Sequence, residues 1–89
     1  MYKLDISKKF AKSLRKFTKT ENRNIHAKLQ ILAKDPFYPS LRTKKVQRLK
    51  GVFESDVFES SVNMDIRIFW MHQDGRIILL IDVGHHDIL

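Results

Sequence analysis

Residues 66–83, IRIFWMHQDGRIILLIDV, decide the predicted fold of this chain. They contain two apolar runs of strand length, residues 66–72 and 76–83, with Gln73-Asp74-Gly75 between them. An Asp-Gly pair between apolar runs is a strong signal for a β-hairpin, because both residues tolerate the backbone conformations of a tight turn. The stretch therefore predicts the last two strands of an antiparallel sheet.

The register of this hairpin follows if Asp74-Gly75 is a two-residue turn. One face is then almost wholly apolar and is expected to pack on helices; it consists of Ile66, Ile68, Trp70, His72, Ile77, Leu79, Ile81 and Val83. The opposite face places Arg67 across from Asp82 at the end of an otherwise apolar surface. This pair is either a plain cross-strand salt bridge or a carboxylate that orients Arg67 towards a substrate phosphate.

Two amphipathic helices are predicted before the strands. The first is expected to begin after Ser7, its N-cap. Its apolar stripe consists of Phe10, Leu14 and Phe17. The second is expected to have Thr20 as its N-cap and to end at Asp35-Pro36. Its stripe consists of Ile25, Leu29, Leu32 and Ala33. These two stripes need an apolar surface to cover them.

The remaining segments complete the sheet. Residues 2–6 and 57–63 are expected to be strands, and residues 45–50 a short edge strand closed by Gly51. Residues 35–44 contain both prolines and are expected to be a loop. The predicted order is β-α-α-β-β-β-β. It indicates an α+β fold with a helical hairpin packed on one face of a mainly antiparallel, twisted sheet.

The composition fits one small domain that covers residues 1–89. No cysteine is present, so neither a disulfide nor a thiolate-metal site is expected to hold the fold. The sequence lacks an apolar run long enough to cross a bilayer, and its first residues do not resemble a signal peptide. A cytoplasmic protein without membrane contact is expected.

The charge of the chain is concentrated in its first half. Residues 1–50 carry fifteen Lys or Arg against three acidic residues, whereas residues 51–89 carry two against seven. A net charge of +7 with this asymmetry favours a basic face that binds a polyanion such as nucleic acid. The alternative is a solvated helical surface with no specific partner.

Residues near the C-terminal end of the chain could cut RNA without a metal. Attack by a 2′-hydroxyl on the neighbouring phosphorus needs a base, an acid for the leaving oxygen, and cations for the phosphoryl oxygens. Candidate groups are Arg67 as the cation, His86 or His85 as acid or base, and Glu59 and Asp65 as bases or His-orienting groups. Strand alternation places Glu59 with Val57 and Ser61, on the same open face as Arg67. The alternatives are that Glu59 is a solvated strand residue and that Asp65 only shapes a turn.

Further residues are candidates for RNA binding rather than catalysis. The phosphate-binding candidates are Lys44, Lys45, Arg48 and Lys50. Phe37 and Tyr38, in a loop flanked by basic residues, are candidates for stacking on bases or are simply loop aromatics. His26 is expected on a helix surface and His72 in a structural role. Neither a metal nor a cofactor is expected, because the His-His pair lacks accompanying Cys or HExxH ligands.

Four motifs in order resemble the RelE/ParE toxin superfamily, and within it the YafQ-like mRNA interferases. They are Asp35-Pro36-Phe37-Tyr38-Pro39-Ser40-Leu41, Leu49-Lys50-Gly51, Asp65-Ile66-Arg67-Ile68 and Asp82-Val83-Gly84-His85-His86-Asp87. The resemblance covers essentially the whole chain. It implies a RelE-like microbial RNase fold and a type II toxin that cleaves mRNA at the ribosome. It also implies an antitoxin partner in a hetero-oligomer.

The resemblance assigns roles by position. Arg67 matches the arginine that contacts the scissile phosphate, His86 the catalytic histidine and Asp65 an acidic site residue of the YafQ-like branch. Lys50 matches a lysine before the family's glycine. The chain departs from the pattern in three places. YafQ-like members commonly have histidines at the positions of Gln47 and Ser61, and RelE-like members have a lysine pair in the strand at Glu59-Ser60-Ser61. Many members also have an aromatic residue after the C-terminal histidine, where this chain ends at Leu89.

These observations leave three hypotheses. The first is a metal-independent endoribonuclease toxin. The second is a ParE-like toxin that binds a protein target such as gyrase and cuts nothing. The third, which the departures leave open, is an RNA-binding or antitoxin-binding module with weak or no catalysis. The basic first half and the Arg67/His86 cluster favour the first hypothesis.

Overall fold

The computed structural model describes residues 1–49, 53 and 55–85. Its elements, in chain order, are β1 (Lys3–Ile6), α1 (Lys8–Leu14), α2 (Lys19–Lys34), β2 (Lys44–Lys45), β3 (Val57–Ser61), β4 (Ile66–Asp74) and β5 (Ile77–His85). Two short 3-10 turns, Pro39–Leu41 and Gln47–Leu49, flank β2. The predicted element order and the α+β class are confirmed. Neither helix in the described ranges has the length and apolar composition that crossing a membrane requires.

The five strands form one sheet in the order β1-β5-β4-β3-β2. β1 runs parallel to β5, and every other pairing is antiparallel. The helices cover one face of this sheet. Their buried stripes meet the sheet in a core that contains Phe10, Ile25, Leu29, Leu32, Ile66, Ile68, Trp70, Ile78 and Leu80. The predicted packing of a helical hairpin on one sheet face is therefore confirmed.

The helix N-termini are fixed by side-chain caps. The hydroxyl of Ser7 accepts a hydrogen bond from the amide of Phe10 at 3.0 Å, which confirms Ser7 as the N-cap of α1. The N-cap of α2 is Thr18, so the predicted N-cap Thr20 is wrong by two residues. Thr18 and Glu21 form a reciprocal capping box, with distances of 3.1 and 2.9 Å. This box satisfies two amides that the first helical turn leaves free.

The predicted register of the last hairpin is wrong. β4 continues to Asp74 and β5 begins at Ile77, so the turn consists of Gly75 and Arg76. Arg67 lies opposite Gly84, not Asp82. The pairing also shifts between Phe69 and Trp70, because β5 has one extra residue at this point. Such a bulge changes which side chains of a strand share a face.

The register set at the turn puts Leu79 opposite Met71 instead of Trp70, and the bulge then returns Val83 to the helix side, so only part of the predicted apolar face is confirmed. On β4, Ile66, Ile68 and Trp70 pack under the helices as predicted. On β5 the helix-facing residues are Ile78, Leu80 and Val83, whereas Ile81 packs on the opposite side. Within β5, the predicted helix-facing positions of Leu79 and Ile81 are therefore incorrect. The apolar run 77–81 has no polar residue that would set the phase of its alternation.

The second sheet face is partly covered by the segment around β2. Val46 and Leu49 pack there on Val57, Phe69 and Ile81. The predicted edge strand 45–50 is shorter than expected, because β2 ends at Lys45 and Gln47–Leu49 turn into a 3-10 helix. The half of this face that includes Arg67 and Ser61 lies outside this small core. We call it the open end of the sheet.

Candidate functional site

Arg67 occupies the open end of the sheet. It pairs with Ser61 of β3, and directly opposed residues of antiparallel strands share a face. Its Nη1 donates to the carbonyl oxygen of Asn63 at 2.6 Å and to that of Ile66 at 3.3 Å. A guanidinium has five N–H donors. These two bonds therefore orient the group and leave further donors for an anion.

The turn between β3 and β4 is organised by Asn63. Its side-chain Oδ1 accepts hydrogen bonds from the amides of Asp65 and Ile66, both at 2.8 Å. This Asx arrangement closes the turn, and the carbonyl of the same residue receives Arg67. Asn63 therefore fixes both the turn and the arginine beside it. No pattern in the isolated sequence singled out this residue.

A cleft of about 600 Å³ opens beside Arg67. It lies between the segment that leads into β2 and the β3–β4 turn. Its walls consist of Ser40, Arg42, Lys44, Ser61, Val62, Asn63, Met64 and Arg67. Three of these side chains are cations and none is a carboxylate. The cleft can therefore hold an anionic ligand such as a phosphate.

Glu59 lies next to the cleft, on the face that sequence alternation predicted. Its carboxylate is 3.4 Å from the ammonium of Lys44, which pairs with it across β2 and β3. Glu59 is largely buried, whereas the Lys44 side chain is 73% exposed. The ion pair keeps a carboxylate close to the cationic wall. It also leaves the Lys44 ammonium accessible to a ligand.

Arg42 is a cleft residue that sequence reasoning missed. It follows the 3-10 turn Pro39–Leu41 in the left-handed conformation, with φ 48° and ψ 43°. Sequence offers little signal for this conformation, because glycine and asparagine are the residues that usually adopt it.

The other predicted phosphate-binding residues are more scattered. Lys45 is 3.2 Å from Asp56 at the edge of the sheet. Arg48 lies exposed in the 3-10 turn after β2. Neither residue lines the cleft. Lys50 lies outside the described residues.

His85 and Asp65 form a pair apart from the cleft. The Nδ1 of His85 is 2.7 Å from Oδ2 of Asp65, and both side chains are more than half exposed. His85 lies opposite Ile66, which points into the helix-covered core, and its ring centroid is 5.9 Å from that of Phe17. Its imidazole is therefore on the helix side of the sheet, and Arg67 is on the other. His86 lies outside the described residues.

Asp82 does not approach Arg67, contrary to the predicted pair. Its buried carboxylate accepts a hydrogen bond from the hydroxyl of Ser13 at 2.6 Å, and Lys9 lies 3.5 Å away. Asp82 lies opposite Phe69 of β4 instead of Arg67, and its carboxylate contacts α1. Asp82 therefore anchors α1 on the sheet, which is a structural role.

The two loop aromatics have different surroundings. The ring of Phe37 packs edge-on against Phe58 and Trp70, at centroid distances of 5.5 and 6.1 Å. Both of those rings belong to the helix side of the sheet, although Phe37 remains half-exposed. Tyr38 is 49% exposed. Of the two, Tyr38 therefore has the freer ring for contact with a base.

Neither His26 nor His72 lines the cleft. His26 is exposed on α2. His72 packs against the rings of Tyr2, Phe58 and Trp70. Across residues 1–49, 53 and 55–85, no three His, Asp or Glu side chains are grouped as metal ligands would be.

Comparisons with known proteins gave matches in structure only. Neither the protein-family models nor the curated protein sequences contain a match to this chain. Among solved structures, the chain is similar to an archaeal RelE–RelB complex from Pyrococcus horikoshii, with 18% identity, TM-score 0.76 and coverage of 99% of this chain and 98% of that one. It is also similar to a metal-bound toxin from Helicobacter pylori, with 20% identity, TM-score 0.74 and coverage of 100% and 99%.

A third similar structure is the E. coli DinJ–YafQ complex, with 14% identity, TM-score 0.68 and coverage of 100% of this chain and 98% of that one. The three matches extend over nearly the whole length of both chains, with the helices and the sheet in the same arrangement. The resemblance in fold that the motifs indicated is thereby confirmed, and the chain has the fold of the RelE and YafQ toxins.

Proposed function

We propose that this protein is the toxin of a type II toxin-antitoxin system and a metal-independent endoribonuclease that cleaves mRNA. The observation that carries the proposal is the oriented guanidinium of Arg67 in a cationic cleft of a RelE-like fold. RNA phosphates are the anions that such a cleft fits best, given a net charge of +7. We propose no metal or cofactor for the reaction.

The proposed chemistry begins with the phosphate. Arg67 holds the phosphoryl oxygens and stabilises the negative charge that develops when the 2′-hydroxyl attacks phosphorus. Its bonds to Asn63 and Ile66 support this role, because a donor that is already oriented needs no reorganisation during the reaction. The exposed Lys44 ammonium adds positive charge at the same wall.

Proton transfer needs two further groups. Glu59, beside Lys44 on the face of Arg67, is the proposed base among the described carboxylates. The resemblance matches His86 to the catalytic histidine of the YafQ-like branch, and we propose it as the acid that protonates the leaving 5′-oxygen. The His85–Asp65 pair faces the other side of the sheet. We propose that it stabilises the end of β5 and the turn after β3.

The proposed partners are an antitoxin and ribosome-bound mRNA. Two of the similar structures are complexes of a toxin with RelB or DinJ, which supports a protein antitoxin for this chain. Ribosome association rests on the family resemblance and on the basic first half of the sequence. We expect the protein to form a hetero-oligomer with its antitoxin in the cytoplasm. The toxin is expected to cleave mRNA after this complex dissociates.

A second candidate function is RNA binding without cleavage. It is favoured by one observation: the described residues that line the cleft include neither a histidine nor a carboxylate. A cationic cleft without a proton donor binds phosphate but does not by itself complete transesterification.

The test is cleavage of a defined mRNA in a translating extract, mapped by primer extension. We expect discrete cuts with the wild type. Cuts should be reduced about a hundredfold or more in Arg67→Ala, because one lost transition-state donor costs roughly 10²–10³ in rate. Arg76→Ala is the matched control, since Arg76 is an exposed arginine in the turn at the far end of the hairpin.

The outcomes separate the candidates. RNA binding without cuts in the wild type would favour the second candidate. Inhibition of gyrase supercoiling with neither binding nor cuts would favour a ParE-like toxin. Equal cleavage by Arg67→Ala and the wild type would contradict the proposed role of Arg67. Added purified antitoxin should suppress the cuts.

A further inference from the structure

The backbone at Arg42 is the unusual feature from which this inference starts. Arg42 is the one non-glycine residue with positive φ in the described part of the chain. Its amide donates to the carbonyl of Pro39 at 3.2 Å and so ends the 3-10 turn. This left-handed conformation is energetically unfavourable for most residues that have a Cβ, and glycine or asparagine adopts it more readily.

The surroundings of Arg42 do not explain why an arginine stands there. Its side chain is exposed and lines the cleft, so it contributes little to the core. Among the described carboxylates, Glu59 pairs with Lys44 and Asp56 with Lys45, and none pairs with Arg42. Strained residues that lack a structural purpose are found preferentially at binding and catalytic sites.

The position of Arg42 is fixed from both sides. Behind it, Leu41 is fully buried in the main core. Ahead of it, the hydroxyl of Thr43 bonds to the carbonyl of Pro36 and to the hydroxyl of Ser60, both at 2.6 Å. These contacts hold the Arg42 backbone against the sheet. The guanidinium is therefore attached to a firmly placed Cα at the wall that faces Arg67.

We propose that Arg42 is a second phosphate-binding arginine, which holds the RNA backbone in the cleft together with Arg67 and retains its strained conformation for that contact. The inference rests on the proposed function in so far as RNA is the ligand. A guanidinium suits the task, because its planar fork binds phosphate oxygens in pairs and stays charged. Arg42 binds and positions the RNA, and it takes no part in proton transfer.

Two substitutions separate the charge from the backbone. Arg42→Gly and Arg42→Asn both remove the guanidinium and both accept a left-handed backbone. The proposal predicts equal or higher thermal stability for both variants but weaker RNA binding. Loss of a charged hydrogen-bonding partner corresponds to about a tenfold rise in Kd. Arg76→Gly is the control, because it also replaces an exposed arginine in a turn, outside the cleft.

The measurement is fluorescence anisotropy with a short single-stranded RNA whose 2′-hydroxyls are methylated, so that it cannot be cut. Titrations at several salt concentrations give the slope of log K against log salt. The slope is negative, and one lost phosphate contact on a single strand should make it less steep by about 0.7. We expect this reduction in both Arg42 variants, and a smaller change in Arg76→Gly.

Three results would overturn the inference. They are wild-type affinity and slope in the Arg42 variants, a loss no larger than that of Arg76→Gly, and a fall in thermal stability that accounts for the weaker binding. The proposed nuclease function can fail separately. If the wild type binds RNA but does not cut mRNA, the proposed nuclease activity is contradicted. The RNA-binding role of Arg42 is then still supported by the anisotropy data.

Discussion

The guanidinium of Arg67 donates to the carbonyl oxygen of Asn63, 2.6 Å away, within the turn that leads into its own strand. The same asparagine closes that turn with its side chain. The orientation of Arg67 therefore depends on a neighbour four positions earlier in the chain. Any change that opens the turn releases the arginine as well.

Replacing Asn63 should show this dependence. Asn63→Ala removes the acceptor for two amides and should lower the free energy of unfolding by about 1 kcal/mol. We expect mRNA cleavage to fall further than that loss explains, because Arg67 is no longer held. Urea denaturation and single-turnover cleavage are the measurements. Asn63→Asp keeps the acceptor and should preserve the turn; a cleavage rate unaffected by Asn63→Ala would contradict the coupling.

The anchor between Asp82 and α1 gives a prediction about stability. Asp82→Ala removes the buried acceptor of the Ser13 hydroxyl and of the Val83 amide, and it should lower the free energy of unfolding by roughly 2 kcal/mol. Ser13→Ala should cost less, because it leaves the carboxylate bonded to that amide. Chemical denaturation provides both values. A loss of cleavage in stable Asp82→Ala protein would instead support the Arg67–Asp82 partnership that the sequence suggested.

The loop aromatics form a matched pair for testing. Phe37→Ala should lower thermal stability and alter the emission of Trp70, the single tryptophan, because the two rings are in contact. Tyr38→Ala should leave stability nearly unchanged and weaken RNA binding severalfold, if its exposed ring stacks on a base. Thermal melts and anisotropy distinguish the two effects. Unchanged RNA affinity in Tyr38→Ala would contradict a stacking role for Tyr38.

The buried hydroxyl cluster behind Arg42 yields a fourth prediction. The hydroxyl of Ser60 accepts a hydrogen bond from Nε1 of Trp70 at 2.9 Å and also bonds to Thr43. Ser60→Ala leaves the Trp70 N–H without its acceptor and removes one of the two partners of the Thr43 hydroxyl, so it should cost about 1–3 kcal/mol in the free energy of unfolding. Thr43→Val breaks the link between the loop and β3 and should weaken RNA binding even in folded protein. Denaturation and anisotropy provide the readouts, and wild-type affinity in Thr43→Val would show that Arg42 needs no such support.

The predictability of this fold differed between the two strands of one hairpin. The faces of β4 were correctly predicted because Arg67 interrupts its apolar residues and sets the phase of alternation. β5 has five apolar residues in succession, so the bulge near Ile81 left no trace in the pattern. The true N-cap of α2 is detectable in the sequence, because Thr18 and Glu21 have the spacing of a capping box.

The candidate site was predictable in its charges and less so in its geometry. The sequence singled out Arg67, Lys44 and Glu59, and the structure brings them to one sheet face. Arg42 and Asn63 were missed, because their importance comes from a left-handed backbone and a carbonyl acceptor. Neither feature depends on a residue pattern that periodicity or charge can detect.

The parallel pairing of β1 with β5 determines when this sheet can be completed during synthesis. Ser7, which follows β1, bonds to Ile81 across 74 positions of sequence, so β1 has no partner in the sheet until β5 has been synthesised. Contacts this distant close a large loop and slow folding. A nascent chain can therefore form its helices and its β3–β4 pair while β1 is still unpaired, and the five-stranded sheet is completed only after β5 has been synthesised.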